Sequence, residues 1–142
     1  MIIPDVNLLL YAHIEAFAEH AEARAWWDGL LNGRTEVGVS GPALFGFLRL
    51  ATNRKLFDPP MSIEAALARV ERWLARPLVR FLVPGPRHLE IAFRLLRQRG
   101  TAGNLTTDVQ LAALAIEHQA EIHSNDLDFA RFPQLRWTNP LA

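Results

Sequence analysis

Fifteen acidic side chains are spread along this 142-residue sequence, and their positions separate them. Glu15, Glu19, Glu22, Asp28, Glu64, Glu71, Glu90 and Glu117 fall mid-helix on polar faces and read as solvated surface. Glu36, Asp58 and Glu121 flank loops. Asp5, Asp108, Asp126 and Asp128 remain. Singly, each has a structural explanation. Asp5 or Asp108 can cap a helix or complement its dipole, and Asp126 and Asp128 follow the turn former Asn125. Jointly, all four fall at one edge of the sheet deduced below. Carboxylates packed together repel, so one or more is pushed toward its neutral form. The usual reason to keep such a cluster is a hard divalent cation, Mg²⁺ or Mn²⁺, held through oxygen ligands.

Other chemistries lack their residues. There is no cysteine, which removes thiolate metal sites, disulfides and thiol nucleophiles. The five histidines show no HxxxH-like spacing. Ser40, Ser62 and Ser124 lack a G-x-S-x-G context. Fifteen basic residues balance the acids, which excludes a strong nucleic-acid field from net charge but not a local basic face. Fourteen of the fifteen are Arg, which suits phosphate recognition or reflects codon usage in a GC-rich genome. Half the residues are apolar and 21% are charged, a globular composition. No apolar run reaches about 18 residues, and MIIPD carries no basic leader. A cytoplasmic protein without membrane association is expected, folded as one domain over residues 1–142.

The elements that must position the carboxylates alternate between strand-like and helix-like. Met1–Asp5 is a strand ending at Asp5, followed by helices over 7–16 and 18–31. Glu36–Ser40 is a second strand. Pro42 opens a helix with Leu44, Phe47, Leu48 and Ala51 buried. Residues 53–61 form a loop, and Ser62 caps a helix burying Ala66, Leu67, Val70 and Trp73 or Leu74. Val79–Val83 is a third strand. Pro86 opens the next helix at its first position, with Leu89, Ala92, Phe93 and Leu96 in register. Residues 100–104 form a loop, and Thr106 or Thr107 caps a helix to His118. Glu121–His123 is a fourth strand, and Leu135–Thr138 a short last one. This order predicts an α/β domain with a mainly parallel sheet, whose sites gather at the carboxyl ends of the strands.

Three segments carry a resemblance: IIPDVNLLLYA at 2–12, GNLTTDVQLAALA at 103–115 and SNDLDFARF at 124–132. In this order, with the closing LRWTNPL, they resemble PIN-domain nucleases, and within them the VapC-type toxins of toxin–antitoxin pairs. The resemblance covers essentially the whole chain. It implies a three-layer α/β/α sandwich around a short parallel sheet. It also implies Mg²⁺-dependent cleavage of RNA, with Mn²⁺ as substitute, a cognate antitoxin that blocks the toxin, and a homodimer. Asp5, Asp108 and Asp126 match the family's metal-binding acids. Asp128 matches an additional acid that helps directly or through water. Asn7, Thr107, Ser124 and Asn125 are polar neighbours able to hold carboxylates or phosphate oxygens.

The sequence departs from the family in one helix. Family members usually carry a Glu within the segment matching 42–50, and here that position is Gly46. Gly46 leaves space for water or substrate, or marks a lost ligand, or makes a close helix–strand contact. The second reading would give a catalytically inactive module that binds RNA or protein. Arg49, one turn after Gly46, is a candidate phosphate clamp. Arg69, Arg72 and Arg76 read as a solvated helix face, and Arg131 as a packing anchor or phosphate contact. Adjacent Trp26 and Trp27 point about 100° apart. One of them is expected to be partly exposed with Leu8, Leu9 or Phe17, forming an apolar patch for an antitoxin helix or a second copy.

Overall fold

The structure, a computed structural model, describes residues 1–100 and 106–142. Five parallel strands form one sheet: β1 (Ile2–Pro4), β2 (Val37–Ser40), β3 (Val79–Leu82), β4 (Glu121–His123) and β5 (Arg136–Thr138), in the order β3-β2-β1-β4-β5. The helices are α1 (Val6–His13), α2 (His20–Leu31), α3 (Gly41–Ala51), α4 (Ile63–Leu74), α5 (His88–Arg99) and α6 (Thr106–Glu117), with a 3₁₀ turn at Leu127–Arg131.

Connection handedness explains the layers. The chain steps outward twice, β1 to β2 to β3, and right-handed crossovers put α1 to α4 on one face. It then returns across the sheet to β4, which puts α5 and α6 on the other face. Two cores result. Val37, Val39 and Val79 pack with Leu9, Trp27, Phe47 and Trp73 on the first face. Ile3, Leu82 and Ile122 pack with Ile91, Leu95, Ala112 and Phe129 on the second. The expected three-layer sandwich is present, and its sheet is parallel throughout.

Local signals act as read at several places. Ser40 and Ser62 cap α3 and α4, accepting from the amides of Ala43 and Ala65, each at 3.1 Å. Trp73 is buried and Leu74 is exposed. Gly100 ends α5 with φ +77°, a left-handed conformation that glycine adopts at low cost. The rest of the expected 100–104 loop lies outside the described residues, as does the G-N-L portion of the 103–115 motif.

One expectation fails and another holds only in part. Pro86 does not open α5. The chain turns first, and the helix starts at His88. Its buried stripe is His88, Ile91, Ala92 and Leu95, while Leu89 and Phe93 face solvent. The segment LEIAFRLL is apolar on both sides, so periodicity alone fits two registers about 100° apart. The patch expected around the Trp pair is only partly there: Trp27 is buried and Trp26 and Phe17 are half-buried as expected, but Leu8 and Leu9 are buried, and Trp26 spends its indole N–H on His123 Nδ1 at 3.0 Å. Exposed apolar side chains lie elsewhere, among them Phe45, Phe81, Val83, Leu89 and Phe93.

Candidate metal centre

Strand order reverses between β1 and β4, and this is where open α/β sheets present a crevice. Asp5 follows β1 directly and is the N-cap of α1. Its Oδ1 accepts from the Val6 amide at 2.8 Å, and its Oδ2 accepts from Ser124 Oγ at 2.7 Å. Ser124 follows β4 and is fully buried. Its Oγ also accepts from the Asp126 amide at 3.0 Å and from Asn7 Nδ2 at 3.4 Å. One hydroxyl thus joins the ends of the two central strands. Asp126 in turn accepts from the Asp128 amide at 2.9 Å, starting the 3₁₀ turn. Phe129, buried within that turn, anchors it to the core.

The carboxylates converge as the sequence predicts, with one adjustment. Asp108, Asp126 and Asp128 each offer an oxygen within 4.8 Å of the others. Asp5 is outside this trio but near enough that its charge acts on Asp108. Asp128 belongs to the trio with Asp126, and Arg131 Nε sits 3.7 Å from its Oδ1. The other expected residues divide. Asn7 lies inside the site. Thr107 is exposed beside Asp108 in the first turn of α6. Asn125 is occupied elsewhere, since its Oδ1 accepts from Asn139 Nδ2 at 2.9 Å. Arg49 is exposed on α3 and has no ion pair among the described residues. At Gly46 a Cβ would lie 3.3 Å from Val6 Cγ2, so the close contact there is with α1, not a strand.

Sequence reasoning missed the support behind Ser124. The Trp137 indole donates to Ser124 O at 3.0 Å, and the Asp5 amide donates to His123 O at 2.9 Å. His123 is gripped on both nitrogens. It accepts from Trp26 at Nδ1, so Nε2 carries the proton toward Glu121 Oε1 at 3.0 Å. Burial keeps its pKa below the usual imidazole value. Residues so distant in sequence carry no local pattern that marks them as partners.

Electrostatics show strain from crowded negative charge. Burial pushes the Asp108 carboxyl up from 3.8 to about 6, and the charges of Asp126, Asp5 and Asp128 add to the effect. Burial also raises Asp5, against the lowering effect of its bonds from Ser124 and Val6. An all-oxygen donor set with mutual repulsion fits a hard divalent cation. Asn7 Oδ1, buried without a hydrogen-bond partner, adds a free acceptor at the same place.

The Asp108 shift has a sign that can be checked. Below pH 3.8 the carboxyl is protonated in both folded and unfolded chains and costs nothing. Between 3.8 and about 6 the unfolded chain gives up its proton first, so stability falls as pH rises. Above that window the whole cost is present. Asp108→Asn should therefore stabilise the metal-free protein at pH 7.5 by on the order of 1 kcal/mol after solvent screening, or about 2–4 °C. The gain should vanish toward pH 4. Calorimetry in chelator from pH 4 to 8 checks this, and a variant less stable than wild type at pH 7.5 contradicts it.

Comparison with known proteins places this geometry. The PIN domain profile matches residues 2–135. The chain belongs to the PIN-domain family. Within it, the chain is 57% identical to Ribonuclease VapC33 of Mycobacterium tuberculosis over 141 residues, covering 99% of each chain. It is 44% identical to Ribonuclease VapC37 of the same organism over 142 residues, covering 100% of this chain and 99% of that one. The sarcin–ricin-loop-cleaving toxin VapC20 of M. tuberculosis shares the fold of this PIN domain. Its TM-score is 0.69 at 19% identity, over 96% of this chain and 99% of the other. VapBC2 from Rickettsia felis bound to a promoter DNA fragment also shares it, with TM-score 0.69 at 21% identity, over 98% of each chain. Among the described residues, no helix is long and apolar enough to cross a membrane.

Proposed function

We propose that this VapC-type PIN domain is the ribonuclease toxin of a toxin–antitoxin pair, acting in the cytoplasm on RNA phosphodiester bonds. The reading rests on one observation above all. Asp108, Asp126 and Asp128 converge beside Asp5 at the reversal point of the sheet, in a chain 57% identical to a ribonuclease. That identity over nearly the full length disfavours the inactive-module alternative. Mg²⁺ is the proposed cofactor, with Mn²⁺ as substitute. Asp5, Asp108 and Asp126 would hold it, with Asp128 helping directly or through water.

When bound, such an ion supplies an activated water and neutralises charge on the scissile phosphate. The chain's own residues set the geometry. Ser124 fixes the rotamer of Asp5 and the loop that carries Asp126. Their bonds prevent the carboxylates from splaying apart to relieve repulsion. Asp108 must give up the proton it keeps below about pH 6, so metal affinity should fall steeply below that pH. Arg49, exposed and unpaired, is the candidate contact to an RNA phosphate. Arg131 is drawn toward Asp128. A homodimer is supported by the exposed Phe81 and Val83 at the edge strand and Leu89 and Phe93 on α5.

Induced expression tests the whole reading. Wild type should arrest growth, and co-expression of the small protein encoded beside it should relieve the arrest. Unimpaired growth at matched soluble expression, with cellular RNA intact, would contradict it.

Gly46 supplies a further prediction. A Cβ there must displace Val6 by only a few tenths of an ångström, and replacing a mid-helix glycine gains about 1 kcal/mol of propensity. Gly46→Glu should therefore fold. It should also tighten Mn²⁺ binding several-fold, because the position matches the family's usual carboxylate. Calorimetric titration checks it, and unchanged affinity would mean that this helix is misaligned with the family.

A further inference from the structure

A second cluster of charge lies away from the carboxylates. The C-terminal halves of α2 and α4 enclose a cavity of about 190 Å³, walled by Arg24, Arg69, Arg72 and Arg76 and lined by Trp27 and Trp73. His13, in the same wall, ends the helix that Asp5 begins, about 12 Å along its axis. α2 and α4 each lead into the start of a strand, so the cavity sits toward the amino edge of the sheet, opposite the carboxylates.

Two features of the cavity wall point to a ligand. The first is uncompensated charge. Four guanidinium groups face one carboxylate, Asp28, which Arg24 already holds at 3.1 Å. Arg76 meets only the neutral Asn32 Oδ1, at 3.2 Å. Among the described residues, Arg69 and Arg72 have no carboxylate within ion-pair distance. The second is spacing. Arg69 and Arg72 lie three apart on α4, where like charges repel unless an anion joins them, and Arg76 follows just past the end of that helix. His13 is used on both sides, with Nδ1 2.7 Å from Leu9 O and Nε2 accepting from Trp73 Nε1 at 3.1 Å. It stays neutral, since burial lowers its pKa to about 4, with Arg69 and Arg24 adding to the effect.

We propose that this cavity is a binding site for a phosphate group. A carboxylate presents two oxygens along one edge, whereas a phosphate presents oxygens in several directions and so suits several converging guanidinium donors. The phosphate belongs either to a small free ligand or to an RNA strand. The site does not depend on whether the carboxylates cut RNA.

Trp27 and Trp73 make the cavity its own reporter. The full chain, held in EDTA so that no metal-dependent cleavage occurs, is titrated with sodium pyrophosphate and with a short oligoribonucleotide. Pyrophosphate should change tryptophan fluorescence saturably. Arg69→Gln with Arg72→Gln should weaken that binding at least tenfold. The single, exposed Arg72→Gln should weaken it in the same direction at an unchanged melting temperature. An oligoribonucleotide that competes with pyrophosphate and shares its arginine dependence assigns the phosphate to RNA. One that does not compete assigns it to a small ligand. No saturable response in wild type, or one untouched by the arginine substitutions, overturns the proposal. A triglutamate peptide binding as tightly as pyrophosphate also overturns it, assigning the cavity to a protein carboxylate.

Discussion

Asp108→Asn should reduce RNA cleavage by roughly 1,000-fold, about 4 kcal/mol of barrier, while the protein stays folded. Asp5→Asn should do the same. Asp108 carries the strongest sign of a site built for a cation, since its carboxyl is pushed to about 6 by burial and by three neighbouring acids. Neutralising it relieves repulsion in the metal-free protein and removes a ligand from the loaded one. Stability and activity should therefore move in opposite directions, which a general folding defect cannot produce. Asp5 lies beside the trio, and its two hydrogen bonds hold it in place. Single-turnover cleavage and a thermal melt on the same samples check both variants. If either variant cuts RNA at the wild-type rate, its assigned role is wrong.

Asp126 and Asp128 should be unequal although both offer an oxygen to the cluster. Asp126 both faces the other acids and starts the 3₁₀ turn by accepting from the Asp128 amide. Asp126→Ala removes a carboxylate and the cap together, and should eliminate cleavage. Asp128 is balanced by Arg131 at 3.7 Å and starts no turn. Asp128→Ala should cost about 10–100-fold, the range of supporting residues at metal sites, and excess Mn²⁺ should partly restore activity. Rates at low and high Mn²⁺ decide the matter. Equal losses that Mn²⁺ does not rescue would make Asp128 a direct ligand.

Much of the site was legible because its carboxylates sit at positions that topology alone brings together. A strand ending at Asp5, a helix opening near Asp108 and a turn after His123 must meet once the sheet is parallel with β1 and β4 central. Ser124 was visible only as a polar neighbour. Its role as the hydroxyl that ties Asp5 to Asp126 depends on burial and on strand pairing, neither of which a sequence displays. The α5 register was lost for a related reason. Leu89, Ile91, Ala92, Phe93, Leu95 and Leu96 cover both sides of that helix, and only the neighbouring α6 selects which side is buried. The Trp26–Trp27 patch is only partly there because Trp26 found a partner 97 positions away, and sequence spacing says nothing about such a pair.

If these carboxylates cut RNA through a bound divalent ion, one defined RNA and the purified wild-type chain should reveal it when assayed in Mg²⁺, after EDTA, and after Mg²⁺ is restored. Cleavage should stop in chelator, return with metal, and be absent from Asp108→Asn under all three conditions. Cleavage that continues in EDTA, or that survives in Asp108→Asn, would contradict that mechanism.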